Sequence, residues 1–216
     1  MKVAVAGAAG NTASRMIPRL INHGHEVRGL VRKREQLQAL QDLGAEAALL
    51  DLEEAADEEV RDAIEGVDAI IFAAGAGPGS GPERKQTMDY GGAVKLIEAA
   101  KATGVRRYVI LSTMNADDPD ALGEQMKPYL EAKAAADERL RESGLEYAVI
   151  RPGRLTDEAG TGRIEAARSL EGRGEIPRED VAEALVAALD EEAARNETID
   201  ILSGDTPVAE ALRSLS

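Results

Sequence analysis

The chain has 216 residues, and its 40 acidic against 26 basic side chains give a net charge of −14. A surface so negative repels phosphate backbones and anionic lipid, which sets nucleic acid and membranes aside as partners and leaves a small-molecule substrate. The absence of cysteine excludes disulfides, thiolate catalysis and cysteine-ligated metals, and the two histidines, His23 and His25 in INHGHE, read as a solvated turn with no metal.

The first predicted element is a buried strand, Val3–Ala6, followed by a helix over Thr12–Asn22. Between them lies G-x-x-G-x-x-A, with Gly7, Gly10 and Ala13. Gly7 allows the tight turn out of the strand, and Gly10 lets backbone N–H groups approach a pyrophosphate at the helix N-terminus. The third position needs only a small side chain for packing, which Ala13 supplies. Ala9, Gly10, Asn11 and Thr12 are then the residues that cradle the phosphates. An ordinary glycine turn would look similar, but a strand, turn, helix and strand at the start of the chain favour nucleotide binding.

A strand over Glu26–Val31 ends in Arg32-Lys33-Arg34, about twenty residues past the glycines. NAD-binding proteins usually place an acidic residue there for the ribose hydroxyls, whereas cations suit the ribose 2′-phosphate of NADP. Arg32 is the principal candidate, with Lys33 beside it; a solvated basic helix start is the alternative for Lys33 and Arg34. NADP(H) is therefore expected in preference to NAD. A helix over Glu35–Leu43 and a strand over Ala47–Leu50 follow, then Asp51 and Leu52. Asp51 is placed toward the adenine amine and Leu52 against the ring, although Asp51 could equally cap a helix.

After a helix over Asp57–Ile64, a strand spans Ala69–Ala74. Its end, Ala73-Ala74-Gly75, is small enough for a ribose to lie on the backbone. The glycine-rich Gly75–Glu83 reads as a lid or a linker. One long helix is predicted over Arg84–Thr103, then a strand at Arg107–Ser112, a helix at Pro128–Ser143 and a strand at Tyr147–Arg151. Pro152–Arg173 reads as loops with a short hairpin, Glu179–Leu189 as a helix, Thr198–Leu202 as a strand and Pro207–Leu215 as a closing helix. Gly24, Gly44, Gly66, Gly104 and Gly144 each follow a helix, where a left-handed cap residue belongs.

This alternation predicts an α/β fold, a Rossmann-type doubly wound parallel sheet with helices on both faces. One domain is expected over 1–216, with a dinucleotide-binding core at 1–151 and a small, dependent lobe at 152–216 over the carboxyl edge of the sheet. With one Phe, four Tyr and no Trp, the core must be built from Ala, Leu, Val and Ile. The acidic, Arg-rich composition fits either a salt-adapted host or a GC-rich genome. No stretch approaches transmembrane length, so a cytoplasmic protein is expected, either monomer or homodimer.

The Gly7-x-x-Gly10 turn, GAVKLIEAAKATGVRRYVILST, Tyr129-x-x-x-Lys133 and Ile150-Arg151-Pro152-Gly153 occur in the order seen in extended and atypical short-chain dehydrogenases/reductases. The whole chain resembles that superfamily, and within it the NmrA-like, sugar-epimerase-related branch of NAD(P)-binding oxidoreductases. The resemblance implies Tyr129 as general acid, Lys133 as the cation that lowers its pKa and holds the nicotinamide ribose, and Ser112 as the hydroxyl that orients a carbonyl, with Thr113 as substitute. It also implies that Pro152 and Gly153 present backbone to the nicotinamide amide. Tyr129 and Lys133 lie four apart on one helix face, where an ammonium favours the phenolate and the phenol exchanges a proton during hydride transfer. Asp89-Tyr90 departs from the Asn carried by many relatives, so the resemblance does not carry their proton relay over to this chain. NADPH-dependent reduction of a small carbonyl is the leading expectation. A non-catalytic NADP(H)-binding redox sensor and epimerase-like chemistry on a nucleotide sugar are the alternatives.

Overall fold

Strand β1 (Lys2–Ala6) sends Val3 and Val5 into one hydrophobic core and Ala4 and Ala6 into another. Side chains alternate across a strand, so both faces of β1 are covered. The same division runs through β4 (Ala69–Phe72) and β5 (Arg107–Leu111), with Ile71 and Val109 on the first side and Ile70, Phe72, Tyr108 and Ile110 on the second. Strands buried on both faces are the mark of a parallel sheet wrapped by helices.

The computed structural model describes residues 1–77 and 79–215. A parallel array is formed by β3 (Glu46–Leu49), β2 (Glu26–Val31), β1, β4, β5, β6 (Glu146–Pro152) and β10 (Glu197–Ser203), in that spatial order. Beyond β10 lie the antiparallel β8 (Arg163–Ala167) and β11 (Thr206–Pro207), which complete a nine-stranded sheet. Helices α1 (Asn11–Asn22), α2 (Leu37–Asp42) and α7 (Arg178–Asp190) cover one face. Helices α3 (Asp57–Ala63), α5 (Ala93–Thr103) and α6 (Lys127–Arg141) cover the other. This is the expected Rossmann-type sheet, and its order reverses at β1 and β4, where such sheets open a ligand crevice. All five predicted cap glycines have positive φ, from 71° at Gly66 to 87° at Gly44.

Two expectations are corrected. The predicted single helix over Arg84–Thr103 is a short α4 (Pro82–Arg84), a π-helical segment at Lys85–Gly92, and then α5. The predicted hairpin after Arg151 does not form: β7 (Arg154–Thr156) pairs in parallel with β9 (Glu175–Pro177), while β8 pairs with β10. The last part of the chain contributes β10 to the main sheet and lays α7 against α1, where Arg19 Nε meets Glu183 at 3.0 Å. The closing helix α8 (Val208–Arg213) packs on α7 and β8. Among the described residues no helix is long and apolar enough to cross a membrane.

Candidate cofactor and active site

Gly7 turns out of β1 with φ 75°, and a Cβ placed there would sit 2.6 Å from the Ala74 Cα. Only glycine lets the turn press against the end of β4. Gly10 donates its N–H to the Gly7 carbonyl at 2.8 Å and precedes α1 in an extended conformation. No side chain caps α1, and its first turn holds no acidic residue. The first N–H groups of a helix lack partners within it, and with the helix dipole they form a ready anion site. Ala9, Gly10 and Asn11 are exposed at this end, Thr12 is buried beneath them, and Ala13 is buried in the core. The uncapped helix end, approached only by small residues, fits a pyrophosphate.

Arg32, Lys33 and Arg34 project from the end of β2, all exposed. Lys33 meets Glu35 at 3.7 Å, whereas Arg32 and Arg34 make no ion pair among the described residues. Past β3, Asp51 accepts the Glu53 N–H at 3.0 Å, and its carbonyl accepts the Ala55 N–H. Leu52 is buried in the second core, under Gly92. This loop is organised by Lys95, whose ammonium donates to the carbonyls of Leu52, Glu53 and Ala55 at 2.9–3.2 Å.

Ala73 and Ala74 are half-buried and Gly75 is exposed at the end of β4. The following loop, within which Pro78 lies outside the described residues, is held from two sides. The Ala76 N–H donates to Asp89 at 3.1 Å, while Arg84 and Lys85 donate to the carbonyls of Ala76 and Gly77 at 3.2 and 2.9 Å. Arg84 also pairs with Glu53 at 2.9 Å, and Thr87 donates to the same carboxylate at 2.6 Å. Burial alone would raise the Glu53 pKa, but these hydrogen bonds and the charges of Arg84 and Arg32 hold it below the usual range.

At the end of β5 the structure separates two adjacent hydroxyls. Ser112 is buried and donates to Asp137 at 2.8 Å, which commits the proton the resemblance assigned to a carbonyl. Thr113 is half-exposed, its hydroxyl donates over a long 3.3 Å to the carbonyl of the adjacent Met114, and its nearness to Tyr129 opposes the rise of the tyrosine pKa. Tyr129, Lys133 and Asp137 follow one another at four-residue steps along α6. Lys133 is buried, and its ammonium donates to the Leu111 carbonyl at 2.6 Å. Burial pushes the Lys133 pKa down, against the charges of Asp89 and Asp137. The expectation that Lys133 lowers the Tyr129 pKa is not met. Burial, reinforced by Asp89, pushes the phenol above its ordinary value, so Tyr129 is protonated at neutral pH.

Asp137 and Arg151 were not singled out as partners in the sequence, because they are joined only by the fold. Fully buried Asp137 accepts from Ser112 and from Arg151 Nε at 2.9 Å, while Arg151 holds Asp117 with both terminal nitrogens at 2.6 and 2.9 Å. Arg151 thus ties β6 to α6 and to the segment that carries Thr113. Burial raises the Asp137 pKa despite Arg151, whereas the Arg151 hydrogen bonds lower that of Asp117. Pro152 and Gly153 are placed beside this segment with most backbone groups engaged. The Pro152 carbonyl accepts from Met114 at 3.0 Å, and Gly153 donates to Ile201 at 3.1 Å. Thr156, at the end of β7, has a buried hydroxyl that finds no partner among the described residues. Its neighbour Asp157 meets Arg15, which in turn donates to the Asn11 carbonyl, so β7 ends beside the first turn of α1. An unpaired buried hydroxyl costs about 1–3 kcal/mol, and a polar cofactor group would relieve it.

A family model described as NAD(P)H-binding matches residues 7–192, from the glycine turn through α7. The chain belongs to this NAD(P)H-binding family. As a whole, this NAD(P)H-binding protein is 44% identical over 216 residues to a Bacillus subtilis protein named uncharacterized sugar epimerase YhfK, covering 100% of both. It is 29% identical over 257 aligned residues to sanguinarine reductase of Eschscholzia californica, covering 99% of this chain and 93% of that one. A solved structure from Bacillus halodurans, described as a candidate NAD-dependent epimerase/dehydratase, superposes with a TM-score of 0.94 at 35% identity and covers 100% of both chains. These likenesses agree with the resemblance to the extended and NmrA-like dehydrogenase/reductase branch.

Proposed function

We propose that this NAD(P)H-binding protein is an NADPH-dependent oxidoreductase that reduces a small carbonyl or related acceptor, with Tyr129 as its acid. The observation that carries the reading is the cluster of Tyr129, Thr113 and Lys133 at the carboxyl edge of the sheet, on the same edge as the uncapped α1 N-terminus. The name of the plant reductase supports the same class. The nicotinamide supplies hydride when bound. Tyr129 gives its proton to the acceptor oxygen, a direction suited to a phenol held above its ordinary pKa. Thr113 takes the orienting role that Ser112 cannot fill, and Lys133 holds the nicotinamide ribose from its seat on the Leu111 carbonyl. Arg32, which makes no ion pair among the described residues, receives the 2′-phosphate.

NADPH consumption followed against a panel of carbonyls, quinones and flavins tests the chemistry. Turnover that Tyr129→Phe abolishes while NADPH still binds is the expected result; tight NADPH binding with no turnover on any acceptor would overturn it. Arg32→Ala is expected to weaken NADPH far more than NADH, and equal losses would remove the 2′-phosphate assignment. One observation favours a second reading, a redox sensor that binds NADP(H) without turnover: no lysine lowers the Tyr129 pKa, and Ser112 is spent on Asp137.

A further inference from the structure

Lys85 opens the π-helical segment, and its ammonium lies over the ring of Tyr129, 5.3 Å from the centroid. Its one hydrogen bond goes to the Gly77 carbonyl at 2.9 Å, and among the described residues it meets no carboxylate. Lys133, close enough for its own pKa to be lowered by Lys85, already has Asp89 and Asp137 opposing its charge. Asp89 is itself buried and engaged with the Ala76 N–H. Lys85 is half-buried at the mouth of this cluster, so its charge is the one not matched by a neighbouring acid.

We infer that Lys85 is the specificity residue of the Tyr129 site, and that it selects carbonyl substrates bearing an anionic oxygen group, a carboxylate or a phosphate. This rests on the reading of Tyr129 as the acid. An ammonium on a ring face and a neutral carbonyl is held less strongly than one bonded to an anion. A charged group on the substrate therefore draws Lys85 from Gly77 and anchors the molecule with its carbonyl toward Tyr129. The flexible lysine stem allows this without backbone movement.

Three para-substituted benzaldehydes test the inference with NADPH: 4-carboxybenzaldehyde, 4-formylphenyl phosphate and the neutral methyl 4-formylbenzoate. At least one charged aldehyde is expected to exceed the ester about tenfold or more in kcat/KM, and whichever is preferred identifies carboxylate or phosphate as the source. In Lys85→Met that ratio falls to about one, while Lys85→Arg retains it. A ratio near one in the wild type, or a preference that survives Lys85→Met, overturns the role of Lys85 and leaves the reductase reading intact. If the wild type reduces none of the three, terephthalate titrated into the NADPH-loaded protein and read by nicotinamide fluorescence separates the two claims. Binding lost in Lys85→Met upholds the anion site and counts against reduction of these aldehydes, and no binding rejects the anion site.

Discussion

Ser112 and Thr113 are neighbours with opposite fates. Side chains at the end of a strand alternate faces, and here Ser112 turns inward to Asp137 while Thr113 stays at the surface of the site. Thr113→Val is expected to lower kcat about tenfold or more, and Ser112→Ala to leave turnover largely in place. The latter withdraws a donor from a buried carboxylate, which costs about 1–3 kcal/mol and is read as a lower urea midpoint. Tyr129 gives a pH signature. Its folded-state pKa lies above the unfolded value of about 10, so its contribution to stability is complete below that pH and is lost as pH rises beyond it. The stability difference between wild type and Tyr129→Phe should be constant through neutral pH and shift against the wild type only above about pH 10. Sequence alone gave Tyr129 and Lys133 as a helical pair. It could not give the sign of the pKa shift, because burial and the nearby Asp89 arise from contacts across the chain. Nor could it choose between adjacent hydroxyls when the deciding partner, Asp137, lies 25 positions away.

At the level of elements, the glycine turn carries the strictest demand. Gly7→Ala would put a methyl against the Ala74 backbone at a φ that disfavours side chains. The expected outcome is a cofactor affinity reduced about a hundredfold or more, measured by NADPH titration, together with a lower thermal midpoint. Gly66→Ala, where no atom lies near the added Cβ, controls for backbone strain alone. The parallel strands were legible because each is a short apolar run with a glycine-capped helix beside it. The π-helical segment was not, since Met88, Gly92 and the apolar positions of α5 keep a spacing that an α-helix would also satisfy. Strands β7, β8 and β9 have three to five residues each, too short for a period of two to reveal their partners.

Across the whole molecule, the sheet is bound together by a few buried polar crossings as well as by its two cores. Arg151 reaches from β6 to α6 and to Asp117. Arg107, at the opposite edge, donates to the carbonyls of Glu146, Tyr147 and Ala188, joining β5, β6 and α7. Arg151→Met would leave Asp137 buried without its cation, a loss of about 3–5 kcal/mol, visible as a fall in the denaturant midpoint. Arg151→Met combined with Asp137→Leu should recover much of that loss, because the stranded charge goes too.

The π-helical segment divides one rod into two independently phased ends. Its extra residue per turn is wound in between Lys85 and Gly92. Deleting a single residue there would restore ordinary pitch and swing everything ahead of it by about 100° around the axis. Lys85 would leave the Tyr129 ring and Arg84 would leave Glu53, while Leu96 and Ile97 stayed seated against the sheet. A change of one residue in length can thus retune which charge greets the incoming molecule while the side chains of α5 keep their places in the second core.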